Sequence, residues 1–437
     1  MKFNLQKKLG NFATLGYLVV LEKDFTKSPK KIKRKQNRNV HKLMKSAYEV
    51  PFYRKRFEEN HLTPDDFHCS EDLVKFPVLT KAELREWMKQ LHDENPDKRD
   101  QWDETSTSGS TGIPLKLYQS QREHACANAS WIRTLMSFGY DPFFGKMITY
   151  ESSYRTEKKS RDSFVQKFGI LQRRRISEKR CVGDGMIDVI HEINEYEPDL
   201  ICLRKNCIVR IALYAQQHNM KIKKPKWYIP VSEMVDEMTR SILEKTFGPG
   251  LTDCYGCDET GSCLVKRPGN DYYDACNDTH VVNIYDDQNQ LADNGKVILT
   301  ALYKHDFPII NYEVGDIASS YTKDGIRYVT KIQGRLNDTV KHENGDETSV
   351  LELRKIPNGI TGIAQFRYVQ DSYHDLRVEL VRDPKDTTYS DQEITDFFLT
   401  RLKELYKDEF KIEVKWLDVI PPDPNGKLRC FVCNVNS

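Results

Sequence analysis

Residues 184–231 read DGMIDVIHEINEYEPDLICLRKNCIVRIALYAQQHNMKIKKPKWYIPV, and this stretch decides the fold class. Residues 184–196 carry apolar side chains at helical spacing, while 200–203 and 227–231 are short apolar runs of strand length. A second helical pattern separates those two runs, and a third helix is expected over 233–247. Upstream, 119–138 reads as a helix and 146–150 as a strand. Strand and helix in alternation predict a mainly parallel sheet covered by helices.

On either side the pattern changes. The first hundred residues read as helices broken by loops, with helical patterning over 36–47 and 81–91 and punctuation at Pro51, Pro64 and Pro77. A polar run over 93–107 follows. Beyond about residue 250 the chain reads as hairpin-rich β structure, with strands at 281–285, 296–302 and 326–330 and a turn at Asp293-Asn294-Gly295. The last hundred residues read as a compact α+β unit: strands at 364–369 and 375–381, a helix, and a strand at 411–416. Ser390 and Glu393 form a capping box for that helix, and Ile394, Phe397, Phe398, Leu402 and Leu405 give its apolar stripe. The chain contains no internal repeat.

Its 437 residues are too many for one ordinary core, so two or more domains are expected. Hydrophobic residues at 38% and charged residues at 30% suit a globular protein, and a net charge of +2 argues against nucleic-acid binding as the main activity. The apolar stretch 9–21 is too short to span a bilayer and holds Asn11. It reads as a packed helix, the alternative being a peripheral membrane-surface helix backed by Lys30, Lys31, Lys33, Arg34 and Lys35. A cytoplasmic location is expected, with the eleven cysteines as reduced thiols or metal ligands.

Thr107-Ser108-Gly109-Ser110-Thr111-Gly112 has the make-up of a phosphate-binding loop, because glycines let the backbone approach an anion while hydroxyls and N–H groups converge on it. No Gly-Lys-Ser/Thr follows, so it is not a Walker loop, and in isolation it reads equally as a flexible turn. Downstream come Tyr255-Gly256-Cys257-Asp258-Glu259, Asn311-Tyr312-Glu313-Val314-Gly315-Asp316, Gly334-Arg335-Leu336-Asn337-Asp338 and, near the C-terminus, Asn425-Gly426-Lys427-Leu428-Arg429. This succession resembles the acyl-adenylate-forming, AMP-binding superfamily. Val50-Pro51-Phe52-Tyr53 and the stretch from Leu73 to Lys81 resemble its phenylacetate–CoA ligase branch, which includes relatives associated with capsule polysaccharide synthesis.

The resemblance implies an α/β fold with a large N-terminal domain, 1–335, that has parallel-sheet and β-rich parts. It also implies a small mobile α+β C-terminal domain, 336–437. ATP and a carboxylic acid are the implied substrates, and CoA the implied acceptor. Thr107 to Gly112 would hold the ATP phosphates, Tyr255 and Gly256 would lie at the adenine, and Glu259 would bind Mg²⁺. Asp316 would accept hydrogen bonds from the ribose hydroxyls and Arg335 would reach ribose or phosphate. Asn337 and Asp338 would form the hinge. Lys427 would offset the charge that builds as the carboxylate attacks the α-phosphorus.

The sequence also departs from the family. Asp258 stands where Ser or Thr is usual, Asn311, Glu313 and Val314 replace an arginine-rich pattern, and Lys341 to Gly345 replaces a glycine-rich stretch that helps line the pantetheine channel in CoA ligases. The adenylation half-reaction is therefore the better supported. Cys254, Cys257, Cys263 and Cys276, with His280 close behind, are read either as zinc ligands or as separate buried thiols. Arg173, Arg174 and Arg175 are read as a solvated helix end or as a contact for an anionic substrate. Two alternatives to a CoA ligase stay open: transfer of an acyl or aminoacyl group to a sugar or carrier, and a non-catalytic nucleotide-binding scaffold.

Overall fold

The computed structural model describes residues 14, 16–18, 28–106, 115–151, 169, 172–335, 339–423 and 427–435. The Thr107 to Gly112 loop, Asn337 and Asp338, and nearly all of 9–21 lie outside the described residues. The chain divides into two compact units: Met1–Gly139 with Cys254–Arg335, and Tyr140–Asp253 with Leu336–Ser437.

In the first unit, Pro51 opens the helix Pro51–Glu59 at a position where its missing N–H costs nothing. Thr80 and Glu83 close a capping box on Lys81–Glu94. These helices bury Tyr53, Phe57, Phe67, Phe76 and Trp87 together, each worth about 1.5–3 kcal/mol of removal from water. The Tyr53 hydroxyl donates to the Pro308 carbonyl at 2.8 Å, which ties the helical part to the β part. Four antiparallel strands run in chain order: His280–Tyr285, Asn294–Ala301, Tyr312–Lys323 and Ile326–Arg335. The expected turn at Asp293-Asn294-Gly295 is displaced. Asn294 and Gly295 already belong to a strand, and Asp286 caps the reversal by accepting from the Gln288 and Gln290 amides. Gly295 is needed because a Cβ there would meet the Tyr285 carbonyl at 2.1 Å.

In the second unit, four parallel strands lie in the order Arg173–Ser177, Met147–Glu151, Leu200–Arg204, Trp227–Val231, as the alternating pattern predicts. All five residues of Leu200–Arg204 are buried, which requires helices on both faces. Helices Gly185–Tyr196, Lys205–Gln217 and Glu237–Phe247 supply that cover. The three arginines form an edge strand, not a helix end, and the Arg174 guanidinium sits 4.4 Å over the Tyr196 ring. Charged side chains on an edge strand also discourage pairing with other chains.

The C-terminal stretch forms a mixed sheet of Lys411–Trp416, Asp375–Arg382, Ile363–Gln370 and Phe431–Cys433 under the helix Asp391–Tyr406. Ile394, Phe398 and Leu402 of that helix are buried against Tyr368 and Val378. Leu405 is exposed, since the stripe outruns the sheet by one turn. Within this unit Ala364, Val381 and Ile420 join the core of Ile208 and Ile211, and Lys245 pairs with Asp383 at 3.0 Å. Among the described residues no helix is long and apolar enough to cross a membrane.

Candidate nucleotide site

In the first unit, strands Asp253–Cys257 and Gly261–Lys266 are joined by the turn Asp258-Glu259-Thr260. Gly256 is dictated by the hairpin itself, since a Cβ would lie 2.3 Å from the Gly261 carbonyl. Glu259 is 4% exposed, and its Oε1 accepts from the Tyr312 hydroxyl at 2.8 Å with the Lys81 ammonium 4.0 Å away. Among the described residues both of these contacts fall on Oε1, so Oε2 is the oxygen that could meet a cation. One buried carboxylate with one such oxygen suits Mg²⁺, which takes few protein ligands and the rest from phosphate and water. Asp258 is exposed, so the departure from Ser or Thr places its charge toward water.

Asp316 reaches the same hairpin through a bulge. Glu313 pairs with Ile298 and Ile317 with Lys296, so Val314-Gly315-Asp316 faces the single residue Val297. Gly315 has φ +88°, a conformation that glycine adopts without strain. The bulge brings the Asp316 carboxylate to the Tyr255 hydroxyl, which donates to Oδ2 at 2.7 Å. Burial, and after it the Asp316 charge, pushes the Tyr255 phenol well above its ordinary range, so it stays a donor. Arg335 pairs opposite Asp316 in the next strand.

Asn311 has a role that the motif comparison does not suggest. It is fully buried at φ +51°, and its amide donates to the Phe76 and Leu73 carbonyls at 2.8 and 2.5 Å. Asparagine tolerates this left-handed backbone better than a long cation would. Leu79 and the Asn311–Glu313 segment exchange backbone hydrogen bonds of 2.9 and 3.0 Å. The Leu73–Lys81 stretch and the Tyr312 motif are thus one interlocked piece.

Lys304 went unnoticed in the sequence. It is 3% exposed, and burial lowers its pKa against the opposing pull of Glu123, Cys257 and Glu259. Glu123, the capping-box residue of Gln121–Met136, accepts from the Asp306 and Phe307 amides at 2.9 and 3.0 Å, while burial raises its pKa. A lysine three residues beyond a buried β-strand carries no pattern that marks it as interior.

The thiols are separate rather than a metal centre. The Cys263 thiol donates to the Tyr255 carbonyl, Cys257 lies 3.3 Å from the Thr260 hydroxyl, and Cys276 faces the Thr134 hydroxyl. Both His280 ring nitrogens are engaged, with Thr260 and Thr279. Among the described residues no group of three or more His, Cys, Asp or Glu side chains is arranged to hold a metal, so the zinc reading gives way to separate thiols, Cys263 and Cys276 buried and Cys254 and Cys257 partly so.

In the second unit, Lys427 follows the C-terminal proline-rich stretch, and its carbonyl accepts from the Asp423 amide at 2.8 Å. It lies near Glu233, which directly follows Ser232 (φ +75°) at the carboxyl end of strand Trp227–Val231. Burial raises the Glu233 pKa, opposed by Lys205, the Leu428 amide and Lys427. Lys205 follows the neighbouring strand and donates to the Met234 carbonyl and to Asp236 at 3.0 and 3.3 Å. The carboxyl ends of parallel strands are where open α/β sheets bind ligands.

Residues 341–434 match the CapK C-terminal domain. The chain is 24% identical over 338 residues to phenylacetate-coenzyme A ligase of Pseudomonas putida, covering 68% of each chain. It is 20% identical over 406 residues to Protein CapK of Staphylococcus aureus, covering 88% of this chain and 85% of that protein. A solved structure of 2-hydroxyisobutyryl-CoA ligase, in the postadenylation state with 2-HIB-AMP, superposes with a TM-score of 0.70 at 17% identity, over 91% of this chain and 88% of that one. The chain is therefore a relative of phenylacetate–CoA ligases and CapK, with the fold of adenylate-forming acyl-CoA ligases.

Proposed function

We propose that this protein activates a carboxylic acid with ATP, forming an acyl-adenylate and pyrophosphate, and then passes the acyl group to CoA. The observation that supports this most is the pair of hydrogen bonds Tyr255–Asp316 and Tyr312–Glu259. They join motifs 61 and 53 positions apart into one set, which this reading turns toward adenosine and phosphate.

In this reading the acid's carboxylate oxygen attacks the α-phosphorus, and the bond to the pyrophosphate oxygen breaks. Asp316 accepts from the ribose hydroxyls, Tyr255 borders the adenine, and the loop Thr107 to Gly112 holds the leaving phosphates. Lys427 places positive charge where two anions meet. Bound Mg²⁺ supplies charge neutralisation of the phosphates, and Glu259 is the residue that holds it. In the second half-reaction a thiolate attacks the acyl carbonyl and AMP leaves. The stretch 336–437 acts as the mobile domain, with Asn337 and Asp338 as its hinge.

A second reading has the acyl group delivered to a sugar or carrier. It is favoured by the match of 341–434 to the CapK C-terminal domain, because Lys341 to Gly345 stands where CoA ligases line the pantetheine channel. Hydroxamate trapping across a library of carboxylic acids, with and without CoA, tests both. Trapping with an acid that CoA suppresses supports the CoA ligase, and trapping that CoA leaves unchanged supports the other acceptor. ATP binding with no trapping for any acid sinks both and leaves a nucleotide-binding scaffold.

A further inference from the structure

The turn that carries Glu259 is held from behind by two side chains outside every nucleotide motif. The Thr260 carbonyl accepts from His280 Nε2 at 2.7 Å and from the Tyr303 hydroxyl at 2.8 Å. Thr260 is wholly buried and His280 is 1% exposed. The two rings meet edge to face, 5.7 Å between centroids, so each limits the other's rotation. Because a carbonyl only accepts, His280 carries its proton on Nε2. Nδ1 lies 3.0 Å from the Thr279 hydroxyl, whose one proton also faces the Cys276 carbonyl at 3.1 Å. The Thr260 carbonyl thus fixes the proton at the Nε2 end of the ring.

The next peptide is under constraint as well. Gly261 has φ +82°, and a Cβ there would meet the Tyr303 hydroxyl at 3.2 Å. The Thr260–Gly261 peptide is therefore held at its carbonyl by two donors and at its glycine by a conformation that few other residues adopt. The Glu259 side chain is held separately, by Tyr312. Backbone and carboxylate are fixed by different partners, an arrangement suited to presenting one carboxylate oxygen in one place.

We propose that His280 and Tyr303 are positioning residues that hold the Asp258-Glu259-Thr260 turn so that Glu259 meets the Mg²⁺ of Mg·ATP. The inference rests on the adenylate-forming reading and on the role of Glu259 in it. Neither residue touches substrate; each acts through the Thr260 carbonyl. Partners that orient a metal ligand in this way cost about ten- to hundredfold in metal affinity when removed.

The test uses the full chain with His280→Leu, His280→Gln, Tyr303→Phe and, as a reference, Glu259→Gln. Calorimetry reads the affinity for a non-hydrolysable ATP analogue with and without Mg²⁺. Hydrogen exchange reads the Thr260 and Gly261 amides, and thermal unfolding reports the fold. His280→Leu and Tyr303→Phe are expected to weaken Mg²⁺-dependent binding about tenfold or more, to leave metal-free binding unchanged and to speed exchange in the turn. His280→Gln places an amide N–H near the Nε2 position and is expected to recover most of the loss. Should His280→Leu not fold, Tyr303→Phe removes a single hydroxyl and carries the same expectation.

If Glu259→Gln weakens Mg²⁺-dependent binding while folded Tyr303→Phe and His280→Gln bind as wild type with unchanged exchange, the clamp is wrong and the role of Glu259 stands. If Glu259→Gln itself leaves Mg²⁺ dependence unchanged, the assignment of Glu259 is wrong and the proposal falls with it.

Discussion

In the proposed function Lys427 is the residue on which the chemistry turns, and it lies in the second unit near Glu233. Replacing it with alanine removes charge needed only as the acyl–phosphate bond forms. Lys427→Ala is expected to cut adenylate formation by about 10²- to 10³-fold, with unfolding temperature and ATP affinity near wild type. Pyrophosphate release beside a calorimetric titration separates the two, and normal release would end the assignment. Tyr312 is the second test at this scale. Its hydroxyl donates to Glu259, so Tyr312→Phe leaves that carboxylate without its neutral donor. A loss of about 1–3 kcal/mol, read as a fall of about 5- to 150-fold in kcat/KM for Mg·ATP, is expected. An unchanged value would mean the bond does not orient Glu259.

These residues were unequally legible. Glu259, Asp316 and Lys427 stand out because they sit in motifs whose order along the chain is informative. Asn311 looked like a defect in the ribose motif, yet its buried amide anchors the 73–79 segment from a left-handed backbone. His280 was visible only as a neighbour of four cysteines. Its function as a donor to Thr260 depends on a partner 20 positions away, which spacing does not reveal.

Among the elements, the bulge at Val314-Gly315-Asp316 is the one that shapes the proposed nucleotide site. A regular strand would place successive side chains on opposite faces, and the extra residues change where Asp316 emerges. Gly315→Ala is expected to strain φ +88° by roughly 1 kcal/mol and to raise the KM for ATP more than it lowers kcat. Steady-state kinetics and thermal unfolding check it; a wild-type KM would show that the bulge does not set Asp316. The helices and parallel strands were legible because their apolar periods are strong. The strand Tyr312–Lys323 was missed because its bulge and polar residues break the alternation that marks a strand.

For the molecule as a whole, acid stability offers a readout of the buried first-unit network. Burial pulls the His280 pKa from its ordinary 6.5 down to about 4, with Asp278 opposing and Arg133 and Lys304 reinforcing the shift. A histidine held neutral stabilises the fold fully above pH 6.5, and that contribution is lost as pH falls toward about 4. Wild type is expected to lose more stability between pH 6.5 and 4 than His280→Gln, which has no proton to gain. Chemical denaturation at several pH values measures this, and parallel curves for the two proteins would contradict it.

The division of the chain shows the boundary between the two kinds of information. The resemblance implies domains 1–335 and 336–437, whereas the compact units are 1–139 with 254–335 and 140–253 with 336–437. The chain also passes between units after Gly139 and after Asp253, which no motif marks, because unit membership depends on which buried faces meet. The sequence by itself determined the parallel sheet, the hairpin-rich region, the capped C-terminal helix and the order of the motifs, since these rest on local period and local chemistry. Only the tertiary structure decided that the cysteines stand apart, that Asn311 is a strut, and that His280 and Tyr303 share one carbonyl. Those outcomes depend on side chains distant in sequence competing for the same buried hydrogen-bond partners, a competition settled only when the chain closes on itself.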